Sequence, residues 1–130
     1  MARRERREQP RLPIEVEVLL NPRTDGDRQP VLLTLRTRNL NIRGAFLELP
    51  ECKDPQAPWV QADWWAERRV IVHLHDSPLA PGQELSCEGQ VRWVERRGPK
   101  RRAVGIGILF LLPSEQWLVA LRSFLDSLVT

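Results

Sequence analysis

At 130 residues, 42% hydrophobic and 28% charged, the chain reads as one globular domain with a single modest core. Its net charge of +3 is too small to indicate nucleic-acid binding from the balance alone. The most apolar stretch, LLPSEQWLVALRSFLDSLV, is broken by Ser114, Glu115, Arg122 and Asp126. No membrane span is therefore expected. The arginine-rich N-terminus lacks the apolar run of a secretory signal, so the expected location is cytoplasmic. Cys52 and Cys87 lack metal-ligand spacing and read as two ordinary thiols in a reducing compartment.

Residues 1–12 are rich in arginine and almost free of apolar side chains. They read as a flexible arm that becomes ordered only against something else. Pro10 and Pro13 mark the entry to a single domain over residues 13–130. Alternation then begins. Ile14, Val16 and Val18 share one face and Glu15 and Glu17 the other, the pattern of a half-buried strand. NPRTDGDRQP is turn chemistry around Asp25-Gly26. Further strands are expected at 31–38, 45–49 and 70–75, with a turn at Ala80-Pro81-Gly82. Segments 85–95 and 103–111 read as a hairpin joined by the basic loop ERRGPKRR.

A helix is expected over 114–128, with Ser114 as N-cap and Glu115 complementing the helix dipole. Trp117, Leu118, Leu121, Phe124, Leu125 and Leu128 form its apolar stripe. That stripe has room to pack on the barrel or to be shared with a second copy, so monomer and homodimer both stay open. The fold class is thus all-β with a terminal helix: a six-stranded antiparallel β-barrel plus a C-terminal amphipathic α-helix.

Residues 50–68 hold three prolines together with Trp59, Trp64 and Trp65. The segment is long for a strand connection. Its tryptophans either cap the barrel or form an exposed aromatic patch for a partner. His73 and His75 share a strand face, but two imidazoles without a third ligand do not make a metal site. The cluster Arg96, Arg97, Lys100, Arg101 and Arg102 is a solvated hairpin tip first and an anion-contacting surface second. No catalytic constellation is present, and Gly105-x-Gly107 lacks the strand–turn–helix setting of a nucleotide loop.

Two short motifs carry a family resemblance. Arg6-Arg7-Glu8-Gln9-Pro10-Arg11 contains Arg7-x-x-x-Arg11 just before the first strand. Asn39-Leu40-Asn41-Ile42-Arg43-Gly44 precedes Ala45-Phe46-Leu47. In this order and spacing they resemble the RxxxR and D/N-x-S-x-x-G motifs of the PilZ domain, a bacterial receptor module for cyclic di-GMP. Gly89–Val94 and Val104–Ile108 resemble the last two strands of that family, so the likeness spans nearly all of residues 6–125. Asn41 departs from it, standing where serine is usual.

The resemblance implies a PilZ-type barrel, cyclic di-GMP as ligand and no catalysis; no metal and no cofactor are expected. It assigns ligand contacts to Arg6, Arg7, Arg11, Asn39, Asn41 and Gly44. Arg6 favours two stacked, intercalated ligand molecules over one. The chemistry fits, because a guanidinium matches the O6/N7 edge of guanine bidentately and also pairs with phosphate. Trp93 stays open: in some family members a tryptophan at this position stacks on guanine. Strict alternation instead groups it with Leu85, Cys87 and Val91 on the core face, unless a bulge at Gly89 resets the parity.

The implied role is second-messenger signalling in motility or biofilm formation, relayed to an unknown protein partner, with no nucleic acid expected. The alternative is a PilZ-like adapter in motility or type IV pilus function that acts without ligand.

Overall fold

The computed structural model describes residues 16–22, 33–51 and 56–128. The arm with Arg6, Arg7 and Arg11, together with Ile14, Glu15 and Cys52, lies outside the described residues. Six strands follow in chain order: β1 (Glu17–Asn21), β2 (Leu33–Leu40), β3 (Gly44–Glu48), β4 (Arg69–Ser77), β5 (Ala80–Arg97) and β6 (Arg102–Leu111). They close into a barrel in the order β1-β2-β3-β6-β5-β4, and every neighbouring pair is antiparallel. Closure pairs both sides of each strand and leaves no open edge between them. One helix, α1 (Glu115–Leu128), completes the expected fold.

The alternation read from the sequence is the inward–outward alternation of the barrel. Val16, Val18 and Leu20 are buried while Glu17 faces out. Leu33, Leu35 and Thr37 point inward from β2, and Val70, Val72 and Leu74 from β4. Thr37 is the polar member of this layer. Its Oγ1 accepts a hydrogen bond from the Val16 amide at 2.9 Å, and its own amide donates to the Val16 carbonyl at 2.9 Å. These bonds satisfy polar groups that would otherwise be costly to bury.

The β4–β5 hairpin departs from expectation. Ser77 pairs with Ala80, so the turn falls on Pro78-Leu79 and Ala80-Pro81-Gly82 opens β5 instead. Ser77 Oγ fixes this turn by accepting from the Leu79 amide at 3.1 Å. A local side-chain bond thereby ends the strand four residues before Pro81.

Near that turn the barrel is covered by α1. Ser114 Oγ accepts from the Trp117 amide at 3.1 Å, the N-cap bond expected from the sequence. Trp117 and Leu121 are buried, and the Trp117 ring meets Phe110 edge-on at 5.3 Å. Phe124 and Leu125 pack partly against the same core.

Where β4 begins, two 3-10 turns, Pro58–Val60 and Ala62–Trp65, cover the barrel. Trp65 is 0% exposed. Its Nε1 donates to the Trp59 carbonyl at 2.8 Å, and its ring meets Trp64 edge-on at 4.8 Å. The Arg68 guanidinium lies 3.8 Å from the centre of the Trp64 ring, with Nε donating to the Trp64 carbonyl at 2.8 Å. The tryptophan-rich segment is therefore a cap on the barrel. The alternative of an exposed aromatic patch does not hold for Trp65, which is buried in the core, and Trp64 is half-buried with its ring packed between Trp65 and Arg68.

Candidate ligand-binding groove

Two β-bulges build the groove. In β2 the register shifts between Thr37 and Asn39, with Thr37 opposite Leu47 and Asn39 opposite Phe46. Arg38 is the extra residue. In β5 the register shifts between Val91 and Trp93, with Val91 opposite Ile108 and Trp93 opposite Gly107. There Arg92 is the extra residue. A bulge breaks the period of two and turns consecutive side chains to one face. Thus Leu40 returns to the core after Arg38-Asn39, and half-buried Val94 packs on the core after Arg92-Trp93. All four intervening side chains line one open groove of about 830 Å3.

This geometry places Trp93. It is 58% exposed, whereas Val91 two residues earlier is 1% exposed. Strict alternation, which grouped Trp93 with the core, fails at Arg92. The alternative, a parity reset, does occur, but three residues beyond Gly89. Gly89 itself pairs regularly with Val70 and Phe110. Trp93 leans on Phe46, ring centres 5.1 Å apart and planes inclined at 49°. Phe46 in turn lies over β6 because Gly105 has no side chain: a Cβ there would meet its Cε2 at 2.6 Å. The Gly105-x-Gly107 pair is thus the bed of an aromatic ring.

The turn from β2 to β3 forms another wall. Asn41 Oδ1 accepts from the amides of Arg43 at 2.7 Å and Gly44 at 3.0 Å, and the Asn41 amide donates to the Gly44 carbonyl at 3.0 Å. The departure from serine is accommodated, because an asparagine oxygen closes this turn as a serine hydroxyl does. Gly44 is required by packing. A Cβ there would collide with the backbone carbonyl oxygen of Ile108 on β6. Asn39, Asn41, Gly44 and Trp93, expected from the sequence as site residues, all line the groove.

Sequence reasoning missed Arg38, Arg92 and Phe46 as groove residues. The Arg38 guanidinium sits 4.2 Å from the centre of the Phe46 ring. Its Nη2 donates to Glu95 Oε1 at 2.6 Å, and its Nε lies 3.9 Å from Glu48 Oε2. Arg38, Arg43 and Arg92 line the groove against one carboxylate, Glu95. Arginines in excess beside two aromatic rings suit a planar anion. A smaller cavity of about 440 Å3 lies across the Arg38–Glu95 pair, where Glu48, Glu51 and Glu95 balance Arg38, Arg97 and Arg102, so it lacks the arginine excess of the larger groove.

Other chemistry is sparse. Burial pushes the Cys87 thiol up to about 11, so it is not a thiolate at neutral pH. His75 Nδ1 lies 3.3 Å from Glu84, yet no three metal-ligating side chains come together among the described residues. No helix among them is long and apolar enough to cross a membrane.

A closed antiparallel barrel carrying an arginine-and-aromatic groove on its outer wall defines a binding domain. The chain belongs to the PilZ domain family, whose model matches residues 5–127. That family comprises cyclic di-GMP receptors, in general non-catalytic binding domains. The fold is similar to the crystal structure of the PilZ domain of CeSA from a cellulose-synthesizing bacterium. That match has TM-score 0.54 and 16% identity over 93% of this chain and 99% of that one. It is also similar to the Bacillus subtilis inhibitor of motility MotI/DgrA, with TM-score 0.56 and 14% identity over 99% of this chain. The chain spans 54% of that protein's length. No curated protein sequence matches the chain.

Proposed function

We propose that this chain is a non-catalytic cyclic di-GMP receptor that relays the signal to a protein partner in the cytoplasm. The observation that carries the reading is Trp93: exposed on the outer wall, supported by Phe46, and in one groove with Asn39, Asn41 and Arg43. A guanine base stacks on Trp93, and Asn39 meets a polar base edge. Arg6, Arg7 and Arg11 close over the ligand from the N-terminal arm, contacting phosphates and guanine edges. The groove's size falls in the usual range for small-molecule sites. It leaves one or two intercalated ligand molecules as the choice a titration makes.

Calorimetric titration of the full chain with cyclic di-GMP tests this reading. Saturable heat is expected, and it disappears when Arg7 and Arg11 are both changed to alanine with unchanged circular dichroism. Absence of heat at high-micromolar ligand, in a folded sample, sinks the proposal. Both motives for the ligand-independent adapter are weakened, since Asn41 closes its own turn and Trp65 is buried with Trp64 half-buried against it.

A further inference from the structure

Arg38 lines the groove and is held there by a ring and by carboxylates. It is the extra residue of the β2 bulge, so its side chain leaves the strand beside Asn39 rather than entering the core. Phe46 holds it from below at 4.2 Å, and Trp93 rests on that same ring. A flat base on Trp93 therefore sits in the groove that the Arg38 guanidinium lines. Yet the guanidinium is occupied by Glu95 at 2.6 Å, with Glu48 at 3.9 Å on its other side. Both Arg38 and Glu95 are partly exposed, at 42% and 30% for their side chains. An ion pair so placed is weak enough for a competing anion to displace.

We infer that Arg38 is a phosphate-binding residue of the groove held in reserve by Glu95, and that Glu95 is a built-in competitor that sets ligand affinity. The inference rests on the cyclic di-GMP reading of this groove. A phosphate entering the groove takes the Arg38 donors from the Glu95 carboxylate. Phosphate offers the guanidinium a matching pair of oxygens, as the carboxylate does, so the exchange preserves a charge-assisted bond. The cost is a freed carboxylate beside a dianionic ligand. Glu95 therefore weakens binding, although it holds Arg38 in position before the ligand arrives. It acts on affinity only through Arg38 and through its own charge; it is a positioning residue, not a ligand contact.

The signs of two substitutions separate this role from a merely structural one. Arg38→Ala loses about 10-fold or more in affinity, the usual effect of removing a hydrogen bond to a charged group. Glu95→Gln gains about 2- to 5-fold, the strength of a partly exposed ion pair. If Glu95 only scaffolds Arg38, Glu95→Gln weakens binding instead. In the Arg38→Ala background most of the Glu95→Gln gain disappears, because the competition has no object. Arg38→Lys keeps the charge but not the planar fork, and recovers part of the loss.

The experiment is calorimetric titration of cyclic di-GMP into the full chain and these four variants, with thermal melts confirming the fold of each. Tighter binding by Glu95→Gln that is mostly lost in the double variant upholds the inference, and a gain that persists in full there overturns it. Wild-type binding with unchanged or weaker affinity in Glu95→Gln overturns it while leaving the cyclic di-GMP reading intact. No binding by the folded wild type overturns that reading and the inference with it.

Discussion

Trp65 and Trp93 stand in clusters with the same ingredients and opposite fates. Each touches a second aromatic ring, Trp64 at 4.8 Å and Phe46 at 5.1 Å. Each cluster carries an arginine on an aromatic face, Arg68 at 3.8 Å and Arg38 at 4.2 Å. Around Trp65 the polar atoms are satisfied by local backbone: its indole donates to Trp59, and Arg68 donates to the Trp64 carbonyl and to Pro22 at 3.5 Å. Around Trp93 the arginine is satisfied by carboxylates across strands, and the indole face stays open. An arginine–aromatic cluster closed by its own backbone is a lid on the core. One closed by exchangeable ion pairs is a place for a ligand.

The difference breaks down under substitution in a definite order. Trp65→Ala should destabilise the fold by about 3–5 kcal/mol, the usual cost of emptying a buried tryptophan site. Urea denaturation measures it, and a loss below about 1 kcal/mol would mean that the cap is not part of the core. Trp93→Ala should leave the melting curve nearly unchanged. It should weaken cyclic di-GMP binding by about 1–3 kcal/mol, the range for base–aromatic stacking. Equal effects of the two substitutions on stability would erase the contrast.

Asn41→Ala removes the acceptor of two amides and should cost about 1 kcal/mol of stability. Asn41→Ser should restore most of that, since a hydroxyl closes the same turn. A much larger effect of Asn41→Ser on ligand affinity than on stability would assign the carboxamide to the ligand.

The barrel was legible because its inward residues keep a period of two over most strands. Val16, Val18 and Leu20 on β1, and Val70, Val72 and Leu74 on β4, need no tertiary information to be grouped. The site was half legible for the complementary reason: it lies where that period breaks. The inward positions run 33, 35, 37 and then 40 on β2, and 85, 87, 89, 91 and then 94 on β5. Each three-residue step spans a bulge residue, Arg38 or Arg92, which the cross-strand register identifies. On β5 a glycine at position 89 offered a place for a bulge as the alternative to strict alternation, although only cross-strand register decides where the extra residue falls. The Arg38–Glu95 bond joins residues 57 apart, which local patterning does not reveal. The arm with Arg6, Arg7 and Arg11 was assigned by resemblance and lies outside the described residues.

The five tryptophans offer the most direct test of the central claim, since each contributes one indole N–H signal to a proton–nitrogen correlation spectrum. Titrating cyclic di-GMP into the labelled full chain should shift the Trp93 indole signal, assigned through Trp93→Phe, progressively and to saturation. The Trp65 signal, buried and bonded to Trp59, should stay in place. A spectrum in which Trp93 does not move at high-micromolar ligand, while the protein remains folded, would contradict the account.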